Sequence, residues 1–423
     1  MLDITFIRDN EKLIKDNSKN RGADVDIDKL LGLDKKRVDL IKKVDELRNR
    51  KNQVKGKPNT AELKKLKENK ELEEKLSKEL QTVENEFSEM LMNVPNVTHP
   101  DVKVSDNEDD NPILESKYKP TEFDFIPKDH VQIAENLDLI DFERATKVAG
   151  AKFYYLKNEA ALLELALINY AIGVAQKHVF TPFIAPDLAK KEVLSQMGYS
   201  PRGESTQVYN IENTDLSLIG TAEISMGGYH KDEVFNEADL PKRYVALSHC
   251  YRTEAGSYSK FSKGIFRVHQ FTKVEMFAYV TPDKSEKMHQ EILAIEQEIY
   301  DGLSVPYRVI DHCTADLGGP SYRTYDLEAW MPGKPNKDGG MGDWAEITST
   351  SNCTDYQARA LNIKYTNKNG KKEFVHMLNG TGIAITRTLI AILENNQQKD
   401  GSVVIPKPLQ KIAGEKIKAK ETK

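Results

Sequence analysis

Two stretches of heptad periodicity stand near the start of the chain. Apolar residues at Leu33, Leu40, Val44, Leu47 and Val54 are spaced by seven, four, three and seven, and a stricter seam follows at Leu76, Leu80, Val83, Phe87, Met90 and Val94. Steps of three and four keep apolar side chains on one stripe of a helix, so both stretches predict amphipathic helices of the coiled-coil type. Between them Lys55-Gly56-Lys57-Pro58-Asn59-Thr60 is a turn signal with a helix cap available at Asn59 or Thr60. The simplest product is an antiparallel helical hairpin. Its first helix, from about Ile27 to Val54, would be roughly 40 Å long at the α-helical rise.

The periodicity stops at Val94-Pro95-Asn96. Residues 95–121, rich in Pro and Asp, read as a linker, and strand-like and helical patterns then alternate to about residue 405. These breaks divide the chain into an arm (residues 1–105), a compact body (106–405) and a Lys-rich tail (406–423) expected to fray.

Three segments of the body carry candidate chemistry. Tyr244 to Glu254 alternates, which places Arg252 and Glu254 on one strand face. A loop follows, and Ile265 to Val280 alternates again. One face, Phe266, Val268, Val274, Met276, Ala278 and Val280, is apolar; the other holds Arg267, His269, Phe271, Lys273 and Glu275. An aromatic ring among charges points to a ligand-facing sheet rather than a solvated one. Next, Trp344 to Asn352 alternates so as to group Glu346, Thr348 and Thr350, a carboxylate beside hydroxyls that suits Mg²⁺ shared with phosphates. Last, Asn379-Gly380-Thr381-Gly382 precedes a helical pattern from Ile383 to Asn396. The glycines allow close backbone approach to a ligand. Arg387, on an apolar helix face, needs either an internal carboxylate or a ligand phosphate.

Composition narrows the classes. Hydrophobic residues make up 39% and charged residues 30% of 423 positions. No apolar run of membrane-spanning length and no basic-then-apolar start is visible, which favours a cytoplasmic protein with no membrane partner. The three cysteines, Cys250, Cys313 and Cys353, form no CxxC pair, so neither a disulfide framework nor structural zinc is expected. With a net charge of −5, any nucleic-acid surface must be local. Lys51, Lys55, Lys57, Lys64, Lys65, Lys67 and Lys70 gather around the hairpin turn against Glu62 and Glu68. That cluster is either a solvated face or a phosphate-backbone contact. The chain lacks GxxxxGK[ST] and a GxGxxG after a strand, so a nucleotide would need a differently built site.

In order, these segments resemble the three motifs of class II aminoacyl-tRNA synthetases. Motif 1 is matched by the helix Leu162–Lys177 and a strand ending at Pro186, the family's dimer interface. Motif 2 resembles Tyr251-Arg252-Thr253-Glu254, its loop and the strand through Phe271, and motif 3 resembles Gly380-Thr381-Gly382 through Arg387 to Glu394. Within that class the chain is similar to the seryl-tRNA synthetases. Gly220-Thr221-Ala222-Glu223, Arg252-Thr253-Glu254-Ala255-Gly256, His269-Gln270-Phe271-Thr272-Lys273-Val274-Glu275, Thr324-Tyr325-Asp326-Leu327-Glu328, Glu346-Ile347-Thr348-Ser349 and Asn379-Gly380-Thr381-Gly382 carry the similarity.

The resemblance implies an α+β fold: an antiparallel sheet of six or more strands flanked by helices in a class II catalytic domain, with an N-terminal antiparallel coiled-coil arm. It implies a cytoplasmic homodimer whose partners are serine, ATP with Mg²⁺, and tRNA(Ser) and, as the family commonly does, tRNA(Sec). Carried over, Arg252 binds the α-phosphate, Glu254 the adenine amino group and Arg387 the γ-phosphate, while Phe271 stacks on adenine. Thr253, Val268, Ile347 and Thr348 join the ATP set, and Glu346 and Ser349 hold Mg²⁺ and phosphate oxygens. Thr221, Ala222 and Glu223 hold the serine amino group; Glu275, Asn379 and Thr381 line the rest of its pocket. Lys51, Lys55, Lys57, Lys64 and Lys65 would contact tRNA. Two features depart from the family pattern: Met226-Gly227-Gly228, and a long stretch Gly333 to Asp343 expected to be a flexible loop near the site. A related alternative is a synthetase-like ligase that charges a carrier protein; such relatives lack the long arm. A non-catalytic RNA-binding paralogue is another alternative, against which the intact Arg252, Glu254, Glu346 and Arg387 count.

Overall fold

The computed structural model describes residues 1–52, 60–199, 207–255 and 261–419, in two compact units, Met1–Val97 and Thr98–Lys423. In the first unit, short helices Ile4–Asp9 and Glu11–Asn20 precede α1 (Ile27–Asn52) and α2 (Thr60–Asn93). The seam of α1 and α2 closes over Leu40, Val44, Leu47, Val83 and Phe87, all buried. At the end of α2 the buried position is Leu91 rather than the expected Met90. Lys29–Glu86, Lys36–Glu79 and Arg48–Glu73 ion pairs cross between the helices and fix an antiparallel register. They lie at the surface, so they set partners more than they stabilise. Asp34 is buried in this unit and is held by Arg8 and Arg37. The turn itself, with Lys55 and Lys57, lies outside the described residues.

The second unit is built on an eight-stranded sheet. Its strands are β1 (Ile113–Lys117), β2 (Thr181–Ile184), β3 (Lys242–Tyr251), β4 (Gln270–Val280), β5 (Tyr307–Asp311), β6 (Arg323–Pro335), β7 (Met341–Asn352) and β8 (His376–Ala384). The order across the sheet is β1-β5-β6-β7-β8-β4-β3-β2, antiparallel throughout except for the parallel β2–β3 edge pair. Helices α3 (Asn158–Lys177), α5 (Ser285–Leu303) and α6 (Ile385–Asn395) cover one face. The short helix α4 (Ala222–Gly228) lies on the other face, against β3 and β4. Strand β4 shows why the sheet has two differently used faces. Val274, Met276, Ala278 and Val280 enter the main core with Leu167 of α3, Ile292 and Ile299 of α5 and Leu389 of α6. Their alternates Phe277 and Tyr279 enter a second core with Tyr244, Met226 and Met377. Further along that face, Phe271, Lys273 and Glu275 line an open cleft.

Several expectations need correction. The linker 95–121 contains β1, which pairs with β5 at the sheet edge. The tail from residue 406 is folded as far as 419: Leu409, Ala413 and Ile417 are buried in the main core, and Lys416–Ile417 pairs with Val403–Val404. Gly333 to Asp343 is the tip of the β6–β7 hairpin, tied down by the Gly333 N–H donating to Glu394 (2.7 Å), rather than a loose loop at the site. Contrary to the reading of no apolar run, α3 is by length and composition able to cross a membrane, with a mean hydropathy of 1.2. It packs as a core helix instead, burying Leu163, Leu167, Ala171 and Val174.

Candidate functional site

The cleft holds about 400 Å³ and is framed by β4, β6, β7, β8, the residues that follow β3 and the first turn of α6. Strand β3 ends at Tyr251, so Arg252 and Glu254 stand beyond it and not on a strand face as expected; Glu254 adopts a left-handed backbone (φ 51°). The Arg252 guanidinium lies 5.3 Å from the centre of the Phe271 ring and donates from Nε to the Gly220 carbonyl (3.3 Å). Arg267 reaches Glu254 at 3.4 Å. The strand expected from Ile265 also begins later, at Gln270, leaving Phe266 and Val268 off the sheet; both are in the core and at the cleft wall.

Strand β7 does not alternate cleanly. Its register against β6 shifts, with Leu327 opposite Thr348 but Glu328 opposite Glu346, so Ile347 is an extra, bulged residue. A bulge turns the side chains on its two sides to opposite parity. Thr348 and Thr350 are therefore not grouped with Glu346: Thr348 donates to Glu296 (2.8 Å) and Thr350 to the Asn379 carbonyl (2.9 Å), both buried. Glu346 and Ser349 line the cleft, with Ile347 and Thr348 also at its wall.

Glu346 meets Arg387 across the cleft, with Nη1 to Oε2 at 3.0 Å and Nη1 donating to its carbonyl at 2.8 Å. Both possibilities for Arg387 are thus present in the geometry: it has an internal carboxylate, and it faces the cavity. Burial raises the Glu346 carboxyl, but the charges of Arg387 and Arg252 outweigh it and carry it down to about 2. Half of that side chain, 51%, still opens to the cleft. The Arg387 guanidinium also stacks on Phe266 at 4.9 Å.

The other end of the cleft is a polar bowl. Thr221 caps α4 and donates its hydroxyl to Glu275, which also accepts the Glu223 N–H (3.0 Å) and Lys273 (2.7 Å). Glu223 accepts from Tyr199 (2.8 Å) and Gln357 (2.6 Å). Burial, and then the nearby Glu275 charge, push the Glu223 carboxyl above its ordinary range. Asn379 and Thr381 complete the wall, Thr381 opposite Glu275 in the β8–β4 ladder. The expected glycine approach is corrected: a Cβ on Gly380 would strike Ile292 (2.2 Å) and Glu296 (2.7 Å) of α5, so this glycine serves helix–sheet packing.

Of the expected residues, two do not line the cleft. Ala222 is buried in the second core, and Thr253 holds Gln207 through its backbone N–H (3.1 Å). Lys64 and Lys65 are exposed on α2, and Lys51 lies in α1. Sequence reasoning missed Tyr199 and His312. His312 lines the cleft 3.0 Å from Asp326; burial alone would lower it, but the Asp326 charge brings it up to about 10. Neither residue sits in a recognisable motif, so only its fold partners reveal it.

Two family models match the chain: the tRNA synthetase class II core domain (G, H, P, S and T) over residues 207–396, and the seryl-tRNA synthetase N-terminal domain over residues 1–98. The serine–tRNA ligase of Treponema denticola is 49% identical over 98% of this chain and 99% of its own. The chain belongs to the seryl-tRNA synthetase family. The serine–tRNA ligase of Dictyoglomus turgidum is 48% identical, over 98% of both chains. The crystal structure of seryl-tRNA synthetase from Pyrococcus horikoshii complexed with ATP has a TM-score of 0.89, 38% identity and full coverage of both chains. The cytoplasmic serine–tRNA ligase from Naegleria fowleri in complex with AMP has a TM-score of 0.82 at 32% identity, over 97% of this chain and 96% of that one. The class II core accounts for the large antiparallel sheet, and the seryl-tRNA synthetase N-terminal domain for the helical arm.

Proposed function

We propose that the cleft activates serine with ATP and passes the seryl group to the terminal ribose of tRNA(Ser). The observation that carries this reading is the joining, in one cleft, of Arg252 and Arg387 with a carboxylate–hydroxyl bowl. A serine carboxylate oxygen attacks the α-phosphorus, forming an O–P bond while the bond to pyrophosphate breaks. The ribose hydroxyl then displaces AMP from the seryl carbonyl. The protein need supply no nucleophile, only position and charge. In this reading Arg252 neutralises the α-phosphate and Arg387 the γ-phosphate, with a planar fork suited to phosphate. Phe271 offers its ring to adenine and Glu254 accepts from the adenine amino group, with Thr253, Val268, Ile347 and Thr348 nearby. Thr221 and Glu223 hold the serine ammonium, and Glu275, Asn379 and Thr381 its side chain. A buried acceptor lacking its hydroxyl can reject alanine by roughly 10⁴-fold.

Among the described residues no group of three or more His, Cys, Asp or Glu could hold a metal alone. Glu346, held ionised by Arg387, and Ser349 offer oxygen ligands at the cleft wall and fit a Mg²⁺ ion whose remaining ligands would come from the phosphates. The ion would neutralise phosphate charge.

The arm's basic residues Lys51, Lys55, Lys57, Lys64 and Lys65 suit tRNA(Ser) and tRNA(Sec) phosphates, and the arm counts against a carrier-protein substrate. Exposed Leu165 (54%) on α3, Val179 (78%) and Ile184 (86%) on β2 suit a homodimer contact. The catalytic domain is taken as the unit Thr98–Lys423, in place of residues 106–405, with the arm as Met1–Val97, and the compartment as the cytoplasm. Serine-dependent ATP–pyrophosphate exchange tests the reading. Exchange with another amino acid and none with serine would overturn it.

A further inference from the structure

Two carboxylates, Glu223 and Glu275, face the amino-acid end of the cleft, and one lysine stands between the sheet and that end. The Lys273 ammonium donates to Glu275 Oε1 (2.7 Å) and to the Thr221 hydroxyl oxygen (2.8 Å), and its side chain is 8% exposed. The other Glu275 oxygen is taken by the Thr221 hydroxyl and the Glu223 N–H. Glu223, by contrast, is met by two neutral donors, the Tyr199 hydroxyl and the Gln357 amide. The bowl is therefore uneven: Lys273 is hydrogen-bonded to Glu275, while the side-chain donors that Glu223 accepts from, Tyr199 and Gln357, are neutral.

We propose that Lys273 is a specificity-determining residue that admits an amino acid with one ammonium and a neutral side chain, and rejects a cationic isostere of serine by charge rather than size. This rests on the serine reading of the cleft. One incoming ammonium matches Glu223, and the α-carboxylate is left to face the α-phosphate that Arg252 holds. What remains for the side chain is Glu275 with Asn379 and Thr381, and the Glu275 charge is already met by Lys273. A hydroxyl can share hydrogen bonds there without changing the charge. An additional ammonium lies beside Lys273 in a site with little water, where like charges repel far more than in solvent. The sharpest probe is L-2,3-diaminopropionate, which replaces the serine hydroxyl by an amine at the same position.

The test is ATP–pyrophosphate exchange with L-serine and with L-2,3-diaminopropionate, at a pH low enough to protonate both amines of the latter. The wild-type chain is expected to prefer serine by about 10³-fold or more, K273M to reduce that preference by at least about tenfold, and K273R to retain it. An unchanged preference in a folded, serine-active K273M overturns the proposal. If K273M does not fold, the wild type alone decides. Inhibition of serine exchange by 2,3-diaminopropionate must then strengthen at least about tenfold as rising pH discharges its side-chain amine, while the KM for serine moves less. Inhibition that follows the serine KM overturns the proposal. Absence of serine exchange in the wild type would instead defeat the functional reading itself.

Discussion

Arg387 and Glu346 restrain each other across the cleft, yet Glu346 stays half open to it. Removing the guanidinium therefore leaves no carboxylate sealed from water. Arg387→Met is expected to lose exchange by about 10²- to 10³-fold while the melting temperature stays within a few degrees. Unfolding on calorimetry would show that the pair is chiefly structural. The residue types at this site were legible; their aim was not. Glu346 and Ser349 share the cleft only because β7 bulges at Ile347, and nothing in Trp344 to Asn352 marks that extra residue. Gly380 was legible as a close approach, but not whose: the neighbour is α5, distant in sequence.

Away from the cleft, His289 on α5 carries a pH signature. It is fully buried, and its Nε2–H donates to the Thr350 carbonyl (3.0 Å). Burial lowers it from 6.5 to about 4. The unfolded chain binds this proton first, so its contribution is complete above about pH 6.5 and is lost as pH falls towards 4. The loss amounts to about 3 kcal/mol at its limit. The melting temperature should drop over this window, and His289→Gln should flatten the drop. An identical slope in the variant would assign the acid sensitivity elsewhere.

Among elements, the arm was the most legible, because a heptad seam needs no knowledge of the rest of the fold. Within the described residues the difference is at the end of α2, where Leu91 replaces Met90 in the seam; the expected end of α1 at Val54 lies outside them. The strands were less legible, since a buried strand's alternation does not say where pairing stops; β3 ends before Arg252 and β4 begins after His269. Deleting residues 35–80 is expected to leave serine-dependent exchange largely intact and to abolish tRNA charging. Equal loss of both would make the arm a scaffold. Reversing Lys64 and Lys65 to Glu should weaken tRNA binding and flatten its dependence on salt by about two phosphate contacts. An unchanged salt slope would mark these lysines as solvated surface.

For the whole molecule, the α+β class and the order arm-then-body were readable from periodicity and motif order. The sheet order was not, because β1 joins β5, and β8 joins β7 and β4, through contacts far apart in sequence. Helix α3 shows the same limit: its composition alone does not reveal that seven of its residues, among them Leu163 and Leu167, pack into the core. Its exposed neighbours give the assembly prediction. The chain should sediment as a dimer, and Leu165→Glu with Ile184→Glu should shift it to monomer; a wild-type monomer would sink that contact.

The closing residues of the chain bear on timing. Leu409, Ala413 and Ile417 complete the core around α3, some 250 positions upstream of them by the numbering. A catalytic unit whose core is closed by residues 409–417 cannot be completed before those residues have left the ribosome. Until then a nascent copy holds α3 incompletely covered. Truncation at residue 405 should accordingly yield aggregates on expression rather than a shortened active enzyme, and a soluble, active product would show that the core closes without residues 409–417.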